Sequence, residues 1–568
     1  MTTDATSPAK LADYLSRLSP IPTFPGYTGP YKVGTVDVEV PVAELSAPSP
    51  EPDAAADIPT VAFRIFYPAV AESKEKRIPW LPNPQRQYVS AYTKFIGVGH
   101  TLAEFLSFLP RHLYYASIPA HKNAVMQKPE THNHRWPTMI FSHGLGGSRN
   151  SYSYVAGSLA SHGIVVVCPE HRDGSSVTSY IRLPDEQGQT RAHRTVPYTK
   201  ISHDVTPEVY DAREAQLRIR LWEMGLVQEA IVAIDKGVKL NNLNASTPSL
   251  RLDQFAGGLH VQEPGSVIFG GHSFGASTVT QLLKSTYYAD SAAVAGMEKP
   301  LFTPTKGSEI RRQITERTVT MLLDMWCMPL LAPNSEPLFK LPLPQYDDKP
   351  SAPGGTALLA VESEAFYKWT DHLHVKARLL SPNPSAKTVS PTVYERPSGI
   401  RQSEPNFFYV VNSAHLSQSD FGILFPWLTK KIFDAEQPER ALRLNLRAQL
   451  QLFRANSIPV ARTCPSDLVD GAQTDKLDDA AGGEHADRHV LDGLDDDKAI
   501  FDRSVDGVVD HWKWIDIIGL GDAGDAAKGT TARQQVEEGE QEMKGELEPN
   551  EQPRPTTART LSTTAAAA

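Results

Sequence analysis

Residues 266–278 read SVIFGGHSFGAST, and this stretch decides the fold. An apolar run at 266–270 leads directly into Gly271-His272-Ser273-Phe274-Gly275, and residues 276–285 have helical spacing. A serine on such a sharp strand-to-helix turn is exposed at its tip, and the crowded backbone requires glycine on either side. The pattern predicts a nucleophile elbow in which Ser273 is the nucleophile and Gly271 and Gly275 are the elbow glycines. The adjoining helix N-terminus favours developing negative charge.

Apolar runs on both sides of this elbow predict a parallel sheet. Short β-rich runs alternate with helical patterns, the longest of which covers 212–236, as in parallel sheets whose two faces are covered. Two earlier runs, 33–42 and 60–67, predict antiparallel strands at the start of the fold. We therefore predict an α/β protein with the α/β-hydrolase fold: a mostly parallel central sheet, antiparallel N-terminal strands and helices on both faces. The remaining predicted strands are 138–142, 163–169, 319–323, 357–361 and 407–411, and the remaining helices are 154–161 and 438–454.

The loop after the predicted strand at 138–142 reads His143-Gly144-Leu145-Gly146-Gly147. An α/β hydrolase carries an oxyanion-hole donor in this early strand-to-helix loop and a second donor on the residue after the nucleophile. The backbone N–H groups of Leu145 and Phe274 are the predicted pair, because the two glycines after Leu145 let the chain turn inward. An ordinary glycine-rich turn is the alternative.

Chain order in this fold places the acid after the serine and the histidine last. His415 follows the last strong β run and is the predicted general base. Asp324 ends the run at 319–323, and Glu362 ends the next run, so both are positioned to orient a histidine. Residue types favour Asp324 as the acid, with Glu362 or Glu364 as competitors that would otherwise cap a helix.

The composition and charge of the chain indicate a globular protein and give no sign of a nucleic-acid or metal-binding function. Of the 568 residues, 40% are hydrophobic and 21% are charged, which is typical of globular proteins. The net charge is −10, and residues 465–568 contain 24 acidic and 10 basic side chains, so the body of the chain is nearly neutral. No nucleic-acid partner is expected. The three cysteines have no metal-binding spacing, and no metal or other cofactor is predicted.

Several motifs together resemble the plasma-type and intracellular type II platelet-activating-factor acetylhydrolases, the lipoprotein-associated phospholipase A2 group. The resemblance extends over roughly 33–454, and the EHRD turn at 170–173 and the DxWxxP segment at 324–329 are its most specific parts. The matching segments are FSHGLGGSR (141–149), SLASHGIVVVCPEHRDGSS (158–176), GGHSFGAST (270–278), LLDMWCMPL (322–330), VESEAF (361–366) and NSAHLSQSDF (412–421).

The resemblance implies a calcium-independent serine esterase that hydrolyses the sn-2 acetyl, short or oxidised acyl ester of phospholipids. It implies Ser273 as nucleophile, Asp324 as orienting acid and His415 as base, and it places the acid one strand earlier than Glu362. A phospholipid is the implied substrate and peripheral lipid contact is implied with it. The helical stripe in 101–115, formed by Leu102, Phe105, Leu106 and Leu109, is either a lipid-contacting surface or a core-facing one.

The chain also departs from the family pattern. About 90 residues separate Asp324 from His415, and we predict an insertion near 375–402. The predicted organisation is an N-terminal extension at 1–30, a catalytic domain at 31–464 and an acidic, largely disordered tail at 465–568 with an ordered island at 508–520. No secretory signal or membrane span is recognised, which predicts a cytoplasmic protein.

Two other functions remain open from the sequence. One is a general carboxylesterase of the cutinase or dienelactone hydrolase type, which would use the same triad on other esters. The other is a non-catalytic hydrolase fold whose acidic tail recruits partners.

Overall fold

A twelve-stranded sheet and a separate two-stranded sheet organise the computed structural model, which describes residues 24–95, 111–184, 190–425, 437–463, 467–468, 497–504 and 507–521. The strands are β1 (Lys32–Pro41), β2 (Thr60–Ala69), β3 (Arg77–Pro79), β4 (Ser117–Lys122), β5 (Trp136–Ser142), β6 (Val165–Pro169), β7 (Thr178–Pro184), β8 (Thr190–Pro197), β9 (Leu259–His260), β10 (Ile268–His272), β11 (Thr320–Leu323), β12 (Leu358–Ser363), β13 (Asn406–Val410) and β14 (Trp512–Trp514).

The centre of the large sheet is parallel. Strands β6, β5, β10, β11, β12 and β13 are neighbours in that order and all pair in parallel. At one end β2 joins β6 antiparallel and β1 joins β2 antiparallel, and at the other end β14 pairs antiparallel with β13. Strands β7 and β8 form the separate hairpin. The predicted fold class, with its mostly parallel sheet and antiparallel N-terminal strands, is confirmed.

Helices cover both faces of this sheet. The helices are α1 (Gln85–Phe95), α2 (Arg111–Tyr115), α3 (Ser153–Ser161), α4 (Pro207–Asp235), α5 (Phe274–Tyr287), α6 (Ala292–Ala295), α7 (Glu309–Gln313), α8 (Glu336–Phe339), α9 (Glu364–Lys368), α10 (Thr370–Leu379), α11 (Asp420–Leu424) and α12 (Pro438–Ala455). Helix α4 begins five residues before the predicted 212. Thr206 caps it by accepting a hydrogen bond from the Val209 amide at 3.3 Å, and Pro207 takes the first helical position, where a missing N–H costs nothing.

Alternating side chains of the central strands divide between two hydrophobic cores. On β5, Ile140 belongs to the core that contains α4 and α5, whereas Met139 and Phe141 belong to the core that contains α3 and α12. This is the period of two expected of a strand whose faces are both buried. The sheet is therefore held rigid from both sides, and the loops at the carboxyl ends of its strands have a fixed base.

Segments outside the central parallel strands also pack against this sheet and its helices. Residues 375–379, which the sequence places in an insertion, are the last turns of α10, and the following stretch has one short turn of 3-10 helix at Pro391–Tyr394. In the 508–520 island, the β14 residue Trp512 is buried and Ile515 and Ile517 join the core. Within the described residues, no helix has both the length and the apolar character needed to cross a bilayer.

Candidate active site

The turn between β10 and α5 holds Ser273 in a conformation that few residues adopt. Its φ is 55° and its ψ is −119°. A Cβ built on Gly271 would lie 2.5 Å from the backbone of Gly275, and one built on Gly275 would lie 2.0 Å from the Ser142 carbonyl oxygen. No side chain fits at either position, so both glycines are required by close backbone approach. The strained serine is presented at the carboxyl ends of the parallel strands, where α/β proteins bind ligands.

The loop after β5 lies against this turn. A Cβ on Gly144 would be only 2.9 Å from the Ser273 Cβ. The Gly144 amide donates to the Tyr152 hydroxyl at 3.1 Å, and the Gly146 amide donates to the Ser175 carbonyl at 2.8 Å. Within the described part of the chain, the Leu145 and Phe274 amides have no acceptor. Both predicted oxyanion donors are therefore available to a ligand in this local structure.

Asp324 and His415 are 91 residues apart in sequence and meet beside the serine. The His415 Nδ1 lies 3.0 Å from the Asp324 Oδ2, and the Ser363 amide donates to the other Asp324 oxygen at 2.6 Å. Asp324 is fully buried, whereas 29% of the His415 side chain is exposed. A carboxyl group fixed in this way holds the imidazole in one orientation through its Nδ1.

The His415 ring also lies close to the residue that precedes Ser273. Its centroid is 4.4 Å from that of His272. No hydrogen bond joins the Ser273 hydroxyl to His415 among the described residues, and contacts of this kind in enzymes without substrate are commonly long. The elbow backbone is tied to the acid-bearing segment as well, because the Ser273 amide donates to the Leu323 carbonyl at 2.9 Å and the Trp326 amide donates to the Ser273 carbonyl at 3.3 Å.

The competing carboxylates have other partners. Glu362 is buried beside Asp324 and forms an ion pair with the equally buried Lys376. Burial raises the pKa of Glu362 to about 8, against the opposing effect of the Lys376 charge. Glu364 accepts a hydrogen bond from the Asn412 amide at 2.6 Å and pairs with Lys368 at 2.8 Å. Of the three candidate acids, Asp324 is the one hydrogen-bonded to His415.

Sequence reasoning missed Phe366, which belongs to α9. Its ring stacks on the His415 imidazole with centroids 4.2 Å apart and planes inclined by 5°. The Lys376 ammonium lies 4.7 Å from the centre of the same ring. Phe366 is the last residue of the VESEAF motif, but nothing in that motif indicates that it stacks on His415, 49 residues further along the chain.

The EHRD turn is a support for the loop that contains Leu145. His171 Nε2 bonds the Ser142 hydroxyl at 2.9 Å, and its Nδ1 bonds Glu223 of α4 at 2.9 Å. Asp173 pairs at 2.8 Å with Arg220 of α4, which donates to the His143 carbonyl at 2.9 Å. Burial lowers the pKa of His171 well below its usual value and raises that of Glu223 to about 8. This buried network joins the loop after β5 to α4.

Asp420, in the motif that contains His415, provides a second support. Its carboxylate accepts hydrogen bonds from the Ser153 and Tyr154 amides, each at 2.9 Å, and from the Trp80 indole at 2.9 Å. These contacts cap the N-terminus of α3, which follows the same loop. Burial raises the pKa of Asp420 to about 6. The segment after β13 therefore carries a candidate base and a helix cap five residues apart.

Among the described residues, His272, Asp324 and His415 form a group that could hold a metal ion, since one ligand atom from each lies within 4.8 Å of the others. His415 and Asp324 already share a hydrogen bond, and the Nδ1 of His272 is 2.7 Å from the Tyr152 hydroxyl. The predicted lipid-contact residues Leu102, Phe105, Leu106 and Leu109 lie outside the described residues.

Comparisons with known proteins identify the family of this chain. The family model of platelet-activating factor acetylhydrolase, isoform II, matches residues 18–343, more than half of the chain. A Schizosaccharomyces pombe protein named "Putative phospholipase A2" is 26% identical over 454 residues, which are 76% of this chain and 92% of that protein. The platelet-activating factor acetylhydrolase of Cavia porcellus is 30% identical over 46% of this chain. The match spans about half the length of that relative, 52%.

A ferulic acid esterase from Streptomyces cinnamoneus is similar at 14% identity with a TM-score of 0.38, over 76% of this chain and 92% of the esterase. A TM-score this low leaves the fold assignment resting on the strand order described above. The family match covers β1 to β11, including the elbow, the loop after β5 and Asp324. The chain therefore belongs to the platelet-activating factor acetylhydrolase, isoform II, family of carboxylic ester hydrolases.

Proposed function

We propose that this chain hydrolyses the sn-2 acetyl, short or oxidised acyl ester of phospholipids without calcium, through a Ser273-His415-Asp324 triad. The observation that carries the proposal is the buried Asp324 carboxylate bonded at 3.0 Å to His415 beside the strained Ser273. A serine hydroxyl is a weak nucleophile until an oriented base takes its proton. The family's name supports the acetyl ester of a phospholipid as substrate.

In the proposed mechanism His415 accepts the Ser273 proton as the hydroxyl oxygen attacks the acyl carbonyl carbon. The carbonyl oxygen becomes negatively charged and accepts hydrogen bonds from the Leu145 and Phe274 amides. The C–O bond to the glycerol backbone then breaks, and His415 returns the proton to the departing lysophospholipid oxygen. Water repeats the sequence on the acyl-enzyme and releases the carboxylic acid. Asp324 holds the imidazole orientation and stabilises the imidazolium.

The direct test is acetate release from a short sn-2 phospholipid in excess EDTA, compared with hydrolysis of a soluble nitrophenyl ester. We expect the wild type to cleave the lipid in EDTA and Ser273→Ala to lose both activities. Wild-type cleavage of the soluble ester alone would favour the carboxylesterase function and contradict the lipid substrate. Full activity of Ser273→Ala would contradict the mechanism.

We further propose that the stripe Leu102, Phe105, Leu106 and Leu109 contacts the lipid surface that holds the substrate. The argument is its apolar helical spacing, seven residues after the end of α1 in sequence, and the position of Phe95 of α1 against the loop after β5. Replacing Phe105 and Leu106 with serine is expected to weaken cosedimentation with phosphatidylcholine vesicles and leave soluble-ester hydrolysis intact. Unchanged vesicle binding, or loss of the soluble-ester activity, would assign the stripe to the core.

A further inference from the structure

A fully buried arginine lies beside the two segments that carry the predicted oxyanion donors. Arg220, in the middle of α4, is fully buried, and its Nε donates to the Asp173 carboxylate at 2.8 Å. A buried charge is costly unless it is paired, and this ion pair meets that requirement. The two terminal nitrogens of the guanidinium have other partners, in the loop after β5, in the EHRD turn and next to the elbow. The role of Arg220 therefore depends on what those two nitrogens hold in place.

One set of contacts holds the loop that carries Leu145. Arg220 Nη1 donates to the His143 carbonyl at 2.9 Å, and Nη2 donates to the Ser175 hydroxyl at 2.6 Å. The Ser175 carbonyl in turn accepts a hydrogen bond from the Gly146 amide at 2.8 Å. His143 lies two residues before Leu145 and Gly146 lies one residue after it, so the Leu145 backbone is anchored on both sides. The guanidinium contacts the first anchor directly and the second through Ser175.

The other set of contacts holds Phe274, which carries the second predicted donor. The guanidinium carbon of Arg220 lies 4.3 Å from the centre of the Phe274 ring, within the range of a cation–π contact. Nη1 also donates to the Thr278 hydroxyl at 3.3 Å, and that hydroxyl donates to the Phe274 carbonyl at 2.8 Å. Both the ring and the carbonyl of Phe274, at the start of α5, are therefore linked to Arg220.

The separation of the two amides matters because they must act on one oxygen atom. Hydrogen-bond donors stabilise a developing oxyanion most when they are already in place, since no reorganisation is then needed during the reaction. A misplacement of about 1 Å can lower a rate about 10²-fold. Arginine is suited to holding two segments at once, because its planar guanidinium presents several N–H donors in a fixed fork. Lysine has the same charge on a single nitrogen and lacks that fork.

A second buried arginine on the same helix provides a comparison. Arg213 is also fully buried, and it donates to the Gln216 side chain at 2.8 Å and to the Ile201 carbonyl at 3.0 Å. Its guanidinium carbon lies 5.0 Å from the centre of the Trp326 ring and 5.9 Å from that of Phe274. Among the described residues, none of its hydrogen bonds reaches the loop after β5. Burial on α4 alone therefore does not link an arginine to that loop.

We propose that Arg220 is a positioning residue of the oxyanion hole, which holds the Leu145 and Phe274 amides at a fixed separation so that both donate to the same oxyanion. This inference rests on the proposed function. Because the two amides act on the tetrahedral intermediate more strongly than on the bound ester, loss of the fork should lower kcat and leave KM nearly unchanged. A purely structural role would instead lower the amount of folded enzyme, and the folded fraction would have normal kinetics.

The test measures kcat and KM of Arg220→Lys for a soluble acetyl ester, with the folded fraction checked by circular dichroism. The variant keeps a positive charge beside Asp173 but lacks the planar fork. We expect kcat to fall about 10²-fold, the loss that follows removal of one oxyanion donor, and KM to change by less than about threefold.

Inhibition by a trifluoromethyl ketone provides the second readout. The Ser273 oxygen forms a bond to the ketone carbon, the carbonyl electron pair moves to its oxygen, and His415 takes the Ser273 proton. The adduct therefore carries an oxyanion like that of the tetrahedral intermediate, and no bond to a leaving group is broken. We expect its inhibition constant to rise about 10²-fold in Arg220→Lys, in parallel with the fall in kcat.

Arg213→Lys is the matched control, because it makes the same change at an equally buried arginine of α4. We expect its kcat and its trifluoromethyl ketone inhibition constant to stay within about threefold of the wild type.

Ser175→Ala tests the indirect anchor. It removes the hydroxyl that Nη2 contacts and keeps the backbone carbonyl that accepts from Gly146. We expect kcat to fall about tenfold, with little change in KM and a parallel rise in the trifluoromethyl ketone inhibition constant. The double variant Arg220→Lys/Ser175→Ala should have a kcat within about twofold of that of Arg220→Lys, because the two changes remove the same contact. If Arg220→Lys does not fold, Ser175→Ala carries the test.

A folded Arg220→Lys variant with normal kcat would overturn the inference, as would normal kcat in Ser175→Ala where Arg220→Lys does not fold. So would a fall in kcat without a change in trifluoromethyl ketone inhibition, or an equal fall in kcat in Arg213→Lys. Ser273→Ala, measured alongside, separates this inference from the proposed function. If Ser273→Ala remains active, the triad itself is wrong, whereas if it is inactive and Arg220→Lys is normal, only the role of Arg220 is wrong.

Discussion

Two buried carboxyl groups, those of Asp324 and Glu362, lie at the ends of β11 and β12, and they have different bonding partners. Asp324 accepts hydrogen bonds from a backbone amide and from His415, whereas Glu362 is bound to Lys376 and burial raises its pKa to about 8. Position at a strand end and burial are common to both. Only their partners differ. The role of each carboxyl group therefore depends on which side chain contacts it from a neighbouring loop or helix.

The largest expected difference between the two carboxylates is in catalysis. Asp324→Asn should lower kcat by about 10⁴-fold, because an amide in place of the carboxylate no longer holds the imidazole in the correct tautomer. Glu362→Gln at pH 7.5 should stay within about threefold of the wild type, because it removes no contact to His415. Steady-state hydrolysis of a soluble acetyl ester measures both. Equal losses of kcat in the two variants would contradict the different roles of Asp324 and Glu362.

Phe366 connects the two sites, since it contacts both His415 and Lys376. Phe366→Leu keeps an apolar side chain but removes the flat surface against the imidazole, so we expect kcat to fall about tenfold with little change in KM. Phe63→Leu, in the buried part of β2, is the control for a general loss of packing. A similar fall in kcat in both variants would mean that the stacking has no special role.

The protonation of Glu362 is also testable through stability. Because burial raises the pKa of Glu362 above its unfolded value of about 4.5, the native state binds more protons than the unfolded state between that value and about 8. The stability of the wild type should therefore decline, relative to that of Glu362→Gln, as the pH rises through this range. Chemical denaturation at pH 5, 6.5 and 8 gives the difference. A difference that grows in the opposite direction would show that Glu362 is ionised in the folded protein.

Glu364 should give the smallest effect of the three candidate acids. Its ion pair with Lys368 is partly exposed to solvent, and exposed pairs contribute about 0.5 kcal/mol. Glu364→Gln should change kcat by less than about twofold and the unfolding free energy by less than about 1 kcal/mol. A loss of activity comparable to that of Asp324→Asn would mean that the Asn412 amide bond to Glu364 positions the His415 loop.

The fold and part of the site could be predicted from the sequence, but the choice between the two carboxyl groups could not be made from local pattern. The elbow at Ser273 was predictable because its glycines are a local steric requirement, and the order of apolar runs was enough to predict the parallel sheet. Asp324 and Glu362 were not separable by pattern, because each follows a β run of the same kind. The commoner use of aspartate favoured Asp324 only weakly, and the resemblance of the DxWxxP segment to a known family strengthened that choice.

Contacts between distant segments could not be predicted from the sequence. Phe366 and His415 stack because α9 and the loop after β13 end next to each other, and no local spacing encodes that. Lys376 lies in the region that the sequence assigned to an insertion, and nothing in the local pattern indicates that it is buried. The start of α4, in contrast, was available in the Thr206-Pro207 pair, which combines a cap residue with proline at the first helical position.

The central claim is that Ser273, activated by the His415-Asp324 pair, carries the acyl group. It is tested most directly by mass spectrometry of the protein after reaction with a fluorophosphonate ester, which reacts with activated serines. The account predicts one adduct, on the peptide that contains Ser273, formed at the wild-type rate in Glu362→Gln and about 10³-fold more slowly or worse in Asp324→Asn. An adduct on another residue, or rapid labelling of Asp324→Asn together with loss of labelling in Glu362→Gln, would contradict it.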